Sequence, residues 1–346
     1  MDVFLRSVYP GRQEAFHLVS QTLYPASCTN RNDLIETLNV TETTLTPKQR
    51  DKSRKLRKWL KYVHSICDFL QNHSRLPGRD AWVQIIAHLL LPWMKKNSVI
   101  VPTIYGFDLC VSRQTGYQYY YYGYYEPGTM YVIQKSLRQG DVFVDVGASV
   151  GQMTFLASDL VGDGGLVLSF EPHNFRYAQL VDGITINNRS NIRTFNIGLG
   201  REKAMVRLYT DVYSPTMLPE KKGPNFQNVQ VDTLDAILGQ WQINDVRMVK
   251  IDVEGYECAV VQGAQKLLSS KNAPILSVEY GIYDSDSDVI SCIQKYNAYQ
   301  TFQLQGTMRR VSKLRHIENP QDLRPHDNVF CFLPHHLKEL PEEMFV

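Results

Sequence analysis

The stretch VFVDVGASVGQ, Val142 to Gln152, runs from an apolar block through one acid, Asp145, into a turn of small residues. The apolar block predicts a buried strand, and Gly147 and Gly151 predict a tight turn that leads into a helix. Because these residues carry no bulk, the backbone of such a turn can approach a ligand closely at the N-terminus of the helix. We therefore predict a ligand site at this turn.

Further along the chain, apolar strand-like runs alternate with segments of helical length. The runs are DVFVDV, GLVLSFE, IRTFNI, RMVKIDV, PILSVEY and NVFCFLP. This alternation predicts βα units and a largely parallel sheet with helices on both faces. Ligands of such sheets bind at the carboxyl ends of the strands, near the point where the strand order reverses, and the glycine turn lies at such an end.

The residues around the turn restrict the kind of ligand. Three residues separate Gly147 from Gly151, so the dinucleotide pattern G-x-G-x-x-G is absent, and no G-K-[ST] phosphate loop follows. Asp145 would repel a pyrophosphate, whereas Glu171, at the end of the next strand, could accept hydrogen bonds from both hydroxyls of a ribose. A cationic nucleoside without phosphate meets these requirements, and S-adenosylmethionine is such a compound.

Six stretches of the chain resemble the FkbM family of S-adenosylmethionine-dependent methyltransferases. They lie within about Val101 to Pro334 and read GYYEPGTM, GDVFVDVGASVGQMTFLAS, LSFEPHNFRYAQLVDGITINN, VDTLDAIL, VKIDVEGYECAVVQGAQKLL and PILSVEY. The chain departs from the family at Ser149, where asparagine is usual. A serine there can still cap the helix or hydrogen-bond a carboxylate.

The resemblance implies an α/β fold of the Rossmann-like class I methyltransferase type. Its sheet would have seven mostly parallel strands, with NVFCFLP as the reversed last strand. The first 97 residues are not covered by the resemblance, and their apolar spacing predicts helices. We therefore predict an N-terminal helical region over residues 1–97 and a methyltransferase domain over residues 98–346.

The resemblance also implies where the cofactor would bind. S-adenosylmethionine would lie over the glycine turn, with Glu171 on its ribose and the turn at Gly198 facing its adenine. Glu126, in the tyrosine–glutamate pair of GYYEPGTM, is a further candidate. The predicted cofactor-binding residues are Asp145, Gly147, Ser149, Gly151, Glu171, Gly198, Asp252 and Glu126.

The stretch VKIDVEG carries the predicted catalytic acids. Lys250, Asp252 and Glu254 alternate along one strand and therefore share one of its faces. Two acids so close raise the pKa of one of them, which suits a base that takes the proton of an acceptor hydroxyl. Glu279, on the neighbouring strand, could join them, so we predict Asp252, Glu254 and Glu279 as catalytic residues. Alternatively, Glu254 caps the following helix and Lys250 pairs with Glu279.

Three other segments stand out in composition. GYQYYYYGYYEPG holds six tyrosines between Tyr119 and Tyr125, which predicts either a lid near the cofactor or an edge strand. DSDSD, at residues 284–288, lacks the glycine and glutamate of a calcium loop, so we expect it to cap a helix. PKQRDKSRKLRKWLKY is the one basic cluster, either a solvated helix face or a docking surface for an anionic partner.

Composition limits the partners and the location. With 346 residues and a net charge of +2, the chain has no global attraction to nucleic acid or membrane. Its longest apolar block, AWVQIIAHLLLPWM, is shorter than the roughly 20 residues that cross a bilayer. Six cysteines form no C-x-x-C pair and the histidines show no metal-ligand spacing, so we predict no metal site and a cytoplasmic location.

The sequence thus predicts an O-methyltransferase that acts on a hydroxyl of a sugar, a glycan or a secondary metabolite. A first alternative is methylation of an RNA ribose 2′-hydroxyl, with the basic cluster as the docking surface. Asp252 and Glu279 resemble the acids of the Lys-Asp-Lys-Glu tetrad usual in those enzymes, but the lysines do not fall in place, so nucleic acid is not the favoured partner. A second alternative is an inactive scaffold that binds the cofactor.

Overall fold

The computed structural model describes residues 99–346 except 113–114, 116–118, 120–122, 211–214, 219–222, 282–288 and 307–310. The predicted helical region at residues 1–97, the basic cluster within it, the DSDSD acids and three of the six clustered tyrosines lie outside the described residues. The division of the chain at residue 97 therefore stays a prediction. Among the helices that are described, none combines the length and the apolar character needed to cross a membrane.

The described chain begins with a short hairpin and continues with alternating strands and helices. The first half contains β1 (Val99–Pro102), β2 (Asp108–Val111), α1 (Pro127–Ser136), β3 (Val142–Val146), α2 (Gln152–Val161), β4 (Leu166–Phe170), α3 (Asn174–Asn187), β5 (Ile192–Phe195), β6 (Gly198–Leu199), β7 (Ala204–Tyr209) and β8 (Phe226–Asp232). The second half contains α4 (Leu234–Gln240), β9 (Met248–Ile251), α5 (Glu257–Gln262), α6 (Gln265–Leu268), β10 (Ile275–Tyr280), α7 (Val289–Gln294), β11 (Gln300–Leu304), β12 (Leu314–His316), β13 (Asp327–Phe332) and α8 (Pro334–Glu339).

The central sheet has the strand order β12-β11-β13-β10-β9-β3-β4-β5. Strands β5, β4, β3, β9 and β10 are parallel neighbours, whereas β13 runs antiparallel to both β10 and β11. The predicted mostly parallel sheet with a reversed last strand is thus confirmed, and β12 adds an eighth strand at one edge. From β3 the chain proceeds outward to β4 and β5 and then returns to β9 on the other side of β3. The strand order therefore reverses between β3 and β9, at the glycine turn.

The apolar strands are buried because helices cover both faces of the sheet. Along β3, Phe143 packs in one core with Phe155 of α2, while the next residue, Val144, packs in the other core with Val260 of α5. Alternate residues of one strand thus serve opposite cores, which explains why these strands read as continuous apolar runs. The separate sheet β6-β8-β7 lies outside this layer and follows β5 in the chain.

A disulfide joins Cys258 of α5 to Cys292 of α7. The sequence separation of 34 residues matches no cysteine motif, so sequence analysis did not predict this pair. Of the other cysteines that the structure describes, Cys110 and Cys331 are buried in the core. Disulfides persist mainly in oxidising compartments. The spacing of the cysteines therefore no longer supports the predicted cytoplasmic location.

Reduction of this disulfide should destabilise the domain. A closed loop of this length restricts the unfolded chain, and opening it should lower the free energy of unfolding by about 3–4 kcal/mol. Denaturant titrations with and without a phosphine reductant measure the change, and mass spectrometry after alkylation identifies the paired thiols. The double variant C258S/C292S should be insensitive to the reductant. Alkylation of Cys258 and Cys292 in unfolded protein that was never reduced would contradict the pairing.

Candidate active site

A cleft opens at the carboxyl ends of β3, β4 and β9, where the strand order reverses. It contains most of the residues that the sequence predicted, although they are spread over 129 positions, from 126 to 254. Gly151 and Glu279 are not among the described residues that line it. The predicted residues that line the cleft are Glu126, Asp145, Gly147, Ser149, Glu171, Gly198, Asp252 and Glu254.

The two glycines of the turn serve protein packing. Both have left-handed backbone conformations, with φ of +81° at Gly147 and +92° at Gly151. A Cβ on Gly147 would lie 1.9 Å from the carbonyl oxygen of Asp252, and one on Gly151 would lie 2.5 Å from Cδ1 of Leu180. The interpretation that the missing bulk makes room for a ligand is therefore wrong, because protein atoms fill that space. Gly147 still contributes backbone to the cleft.

Ser149 lies between the glycines in a left-handed conformation, with φ of +51°. Its backbone N–H, not its hydroxyl, donates a hydrogen bond of 2.8 Å to Oε2 of Glu171. Asparagine is more common than serine in this conformation, and glycine adopts it without steric cost. Serine in place of the usual asparagine thus changes the backbone strain at position 149, whereas the hydrogen bond to the Glu171 carboxylate is kept.

Ser149→Gly should therefore stabilise the protein. The left-handed conformation costs about 1–2 kcal/mol for a residue with a Cβ, and glycine avoids this cost. Part of the resulting stabilisation is lost, because glycine also raises the conformational entropy of the unfolded chain. We expect a net increase of about 0.5–1 kcal/mol in the free energy of unfolding, measured by urea denaturation. Ser149→Ala is the control and should show no such gain, because alanine keeps the Cβ. A less stable glycine variant would contradict this account.

Glu171 is buried at the end of β4, and both of its carboxylate oxygens are engaged with backbone. Oε2 accepts from Ser149 N–H, and Oε1 accepts from His173 N–H at 2.8 Å. Burial raises the pKa of Glu171, and the nearby Arg176 opposes this shift. Each carboxylate oxygen has a second lone pair, so the two backbone bonds leave capacity for two hydroxyl donors from the cleft.

Asp145 is fully buried below the turn. Its Oδ2 accepts a 2.6 Å hydrogen bond from the hydroxyl of Thr154 of α2. Its Oδ1 accepts no hydrogen bond and lies 3.8 Å from Nζ of Lys250. Burial raises the pKa of Asp145, and Lys250 acts in the opposite direction. Among the described residues of the cleft, Asp145 thus offers a buried carboxylate oxygen without a donor.

Lys250 forms the closest ion pair of the cleft, with Nζ 3.0 Å from Oδ2 of Asp252. Burial lowers the pKa of Lys250, but the carboxylates of Asp252 and Asp145 raise it by more, so the amine stays protonated. The alternative in which Lys250 pairs with Glu279 is therefore wrong. The helix after this loop has Tyr256, not Glu254, at its N-cap.

The three predicted catalytic acids meet beside this pair. One carboxylate oxygen from each of Asp252, Glu254 and Glu279 lies within 4.8 Å of the other two. Oε2 of Glu279 is buried without a hydrogen bond, and burial, followed by the charges of Asp252 and Glu254, raises the pKa of Glu279 to about 10. Glu279 therefore holds a proton at neutral pH. Oxygen ligands grouped in this way could also hold a divalent cation, which the sequence did not predict.

The raised pKa of Glu279 predicts a pH-dependent stability difference. Its folded-state pKa of about 10 lies above the ordinary value of 4.5, so the unfolded chain binds fewer protons across this interval and stability falls as pH rises. Glu279→Gln removes this loss, and its stability advantage over wild type should grow from pH 5 to pH 9 in thermal denaturation. Glu202→Gln, at an exposed side chain, is the control without such a trend. A pH-independent difference for Glu279→Gln would contradict the assignment.

Among the described tyrosines of the stretch GYQYYYYGYYEPG, Tyr119 and Tyr125 line the cleft, whereas Tyr124 is buried in the core. Gln152, the first residue of α2, holds the backbone of Tyr125 at both ends. Its Nε2 donates to the carbonyl oxygen of Tyr125, and its Oε1 accepts from the amide, each at 2.6 Å. Sequence analysis missed this role, for which the only signal was a polar side chain at the start of an apolar helix.

Glu126 lies at the N-cap of α1 in a left-handed conformation. Its Oε2 accepts a 2.8 Å hydrogen bond from Nδ2 of Asn328 in β13, a side chain that also donates to the hydroxyl of Thr129. Burial, and next the charge of Asp252, raises the pKa of Glu126 to about 7. Asn328 and Thr129 were not predicted, although the polar residue at the start of the run NVFCFLP was a signal for Asn328.

Comparison with known proteins places a family domain over this cleft. Residues 145–300 match the methyltransferase FkbM domain, and no curated protein matches the chain. Among solved structures, the methyltransferase FkbM from Methylobacillus flagellatus KT is 18% identical, with a TM-score of 0.38, over 74% of this chain and 60% of its own. The chain thus spans about three fifths of that protein.

Two further solved structures are similar at lower identity. A SAM-dependent O-methyltransferase from Thermotoga maritima is 11% identical, with a TM-score of 0.34, over 67% of this chain and 75% of its own. An rRNA methylase from Streptococcus thermophilus is 9% identical, with a TM-score of 0.34, over 59% of this chain and 92% of its own.

Proposed function

Because residues 145–300 match the methyltransferase FkbM domain, we propose that the protein transfers a methyl group from S-adenosylmethionine to a hydroxyl of a sugar, a glycan or a secondary metabolite. The observation that carries this proposal is the cleft itself. It joins a carboxylate suited to a ribose, Glu171, to an ion-paired carboxylate, Asp252, that is suited to an acceptor hydroxyl.

The residues present fit a cationic nucleoside. Glu171 has lone pairs left for ribose hydroxyls, and Oδ1 of Asp145 is a buried acceptor without a donor. Among the described residues that line the cleft, five carboxylic acids, Glu126, Asp145, Glu171, Asp252 and Glu254, face two bases, Lys250 and Arg176. This excess favours a cation over a pyrophosphate. When bound, S-adenosylmethionine supplies an electrophilic methyl group on a sulfonium.

We propose that Asp252 is the base that takes the proton of the acceptor hydroxyl. Its side chain is 27% exposed and reaches the cleft, while Lys250 holds one of its oxygens in place. With its pKa raised to about 10, Glu279 keeps its own proton at neutral pH and does not take that of the acceptor, so in this scheme it adds no charge beside Asp252. The predicted catalytic trio thus divides into a base and a neutral acid, with Glu254 beside them.

The same excess of acids bears on the acceptor. A phosphate or carboxylate near the reacting hydroxyl would face several carboxylates, with Lys250 already engaged by two of them. A neutral hydroxyl compound carries no such repulsion. This argument favours a sugar, glycan or metabolite acceptor over an RNA ribose, whose proposed docking surface lies outside the described residues.

The proposal is tested first by binding and then by transfer. Isothermal titration should detect S-adenosylhomocysteine, and ATP as the matched anionic nucleotide should bind far more weakly. Methyl-labelled S-adenosylmethionine is then incubated with neutral glycosides, uronates and RNA, and label is expected on oxygen of a neutral acceptor. Equal affinity for ATP would contradict the cofactor assignment. Binding without transfer to any acceptor class would favour the inactive scaffold, and transfer to RNA would favour the ribose alternative.

A further inference from the structure

The loop between β9 and α5 carries the reacting end of the cleft. Asp252, Val253 and Glu254 all line the cleft from this loop, which is not part of any strand or helix. Its backbone is left-handed at two successive positions, with φ of +56° at Glu254 and +103° at Gly255. Such a conformation is unfavourable for glutamate, so contacts from outside the loop must maintain it.

Contacts from β3 and from Thr216 hold part of this loop. The amide of Asp252 donates to the carbonyl oxygen of Val146 at 3.0 Å, which continues the β3–β9 pairing by one residue. The hydroxyl of Thr216 donates to the carbonyl oxygen of Glu254 at 2.7 Å. Neither contact satisfies the amides of the turn, which need acceptors of their own when they leave the strand.

Glu257 supplies that acceptor from the first residue of α5. Its Oε1 accepts hydrogen bonds from the amides of Val253 and Gly255, each at 3.1 Å. Glu257 is only 5% exposed, so water does not readily replace it. Because one oxygen binds both amides, it sets the distance between them, and with it the path of the chain through Glu254.

The link between Glu257 and the cleft is short. Val253 follows Asp252 directly, so any shift of the Val253 amide turns the peptide that carries the Asp252 side chain. The carbonyl oxygen of Asp252 lies 1.9 Å from the place of a Cβ on Gly147, which leaves the loop little room to move toward β3. Loss of the Glu257 contacts would therefore allow the loop to shift away from β3.

We propose that Glu257 is a positioning residue for methyl transfer, which fixes the Asp252 carboxylate by binding the Val253 and Gly255 amides with one oxygen. This inference rests on the proposed function, in which Asp252 takes the acceptor proton. Glu257 itself does not line the cleft and touches neither donor nor acceptor in this scheme. Its effect is on the geometry of the reacting groups, and hence on turnover more than on binding.

Three variants separate this role from a purely structural one. Glu257→Ala removes the acceptor, Glu257→Gln keeps an oxygen for the two amides, and Val261→Ala weakens the same helix at a fully buried core position. Below the melting temperature of all three, Glu257→Ala should lower kcat about 10- to 100-fold, since small misplacements of reacting groups have effects of this size. Glu257→Gln should recover most of kcat, Val261→Ala should retain it, and the affinity for S-adenosylhomocysteine should stay within about threefold for all.

Amide hydrogen exchange tests the positioning without turnover. Exchange at Val253 and Gly255 should accelerate in Glu257→Ala and stay unchanged in Val261→Ala. Unchanged exchange at both amides in Glu257→Ala, equal loss of kcat in Glu257→Ala and Val261→Ala, or no recovery by Glu257→Gln would each overturn the proposal. If the wild type transfers no methyl group, the proposed function fails, and the exchange comparison alone decides whether Glu257 holds the loop.

Discussion

Replacing Asp252 with asparagine should lower kcat for methyl transfer by about 10²- to 10⁴-fold, the usual contribution of a positioned general base. The change is isosteric, so the amide keeps the shape of the loop but cannot take the acceptor proton. Affinity for S-adenosylhomocysteine should change little, because Glu171 and Asp145 hold the other end of the ligand in our proposal. Steady-state transfer assays measure the change in kcat, and calorimetry measures the change in affinity separately.

The effect should also depend on Lys250. The Lys250 ammonium is 3.0 Å from Asp252 and 3.8 Å from Asp145. As a control at an exposed residue, Asp245→Asn should keep full activity. Loss of cofactor binding in Asp252→Asn with undiminished kcat would assign Asp252 to the cofactor and not to the acceptor.

The central sheet could be predicted because its strands are buried on both faces. Burial on both faces makes β3, β9 and β10 continuous apolar runs, and these are visible without knowledge of their neighbours. The strands β6, β7 and β8 have no such signal: on β7, exposed Met205 and Arg207 alternate with half-buried residues. The edge strand β12 is three residues long, and its pairing with β11 depends on the tertiary fold.

The site could be predicted where residues follow strands, because parallel strands bring their carboxyl ends to one edge. Asp252 and Glu171 belong to this class. Sequence analysis missed Gln152, Asn328 and Glu257, because no local sequence pattern indicates which groups these side chains bind. Gln152 binds backbone 27 residues away and Asn328 binds a side chain 202 residues away. Glu257 is close in sequence to its partners, but an acid at the start of a helix is also what an ordinary helix N-terminus favours.

Glu171→Ala should weaken the binding of S-adenosylhomocysteine by about 2–3 kcal/mol, or about 30- to 150-fold in Kd, because it removes one or two charge-assisted hydrogen bonds to the ribose. The raised pKa of this buried acid does not oppose the expectation, since a hydroxyl donor from the ligand favours its ionised form. Turnover at saturating cofactor should fall less than affinity. Calorimetry on wild type and variant measures the difference.

Glu171 also accepts hydrogen bonds from the amides of Ser149 and His173, so its removal disturbs the turn as well as the binding of the ligand. A second ligand separates the two effects. The 2′,3′-dideoxy analogue of S-adenosylhomocysteine has no hydroxyls to donate, and Glu171→Ala should therefore cost this analogue much less affinity than it costs the parent compound. If both ligands lose the same factor, Glu171 acts by holding the turn at Ser149, and the ribose must be bound elsewhere in the cleft.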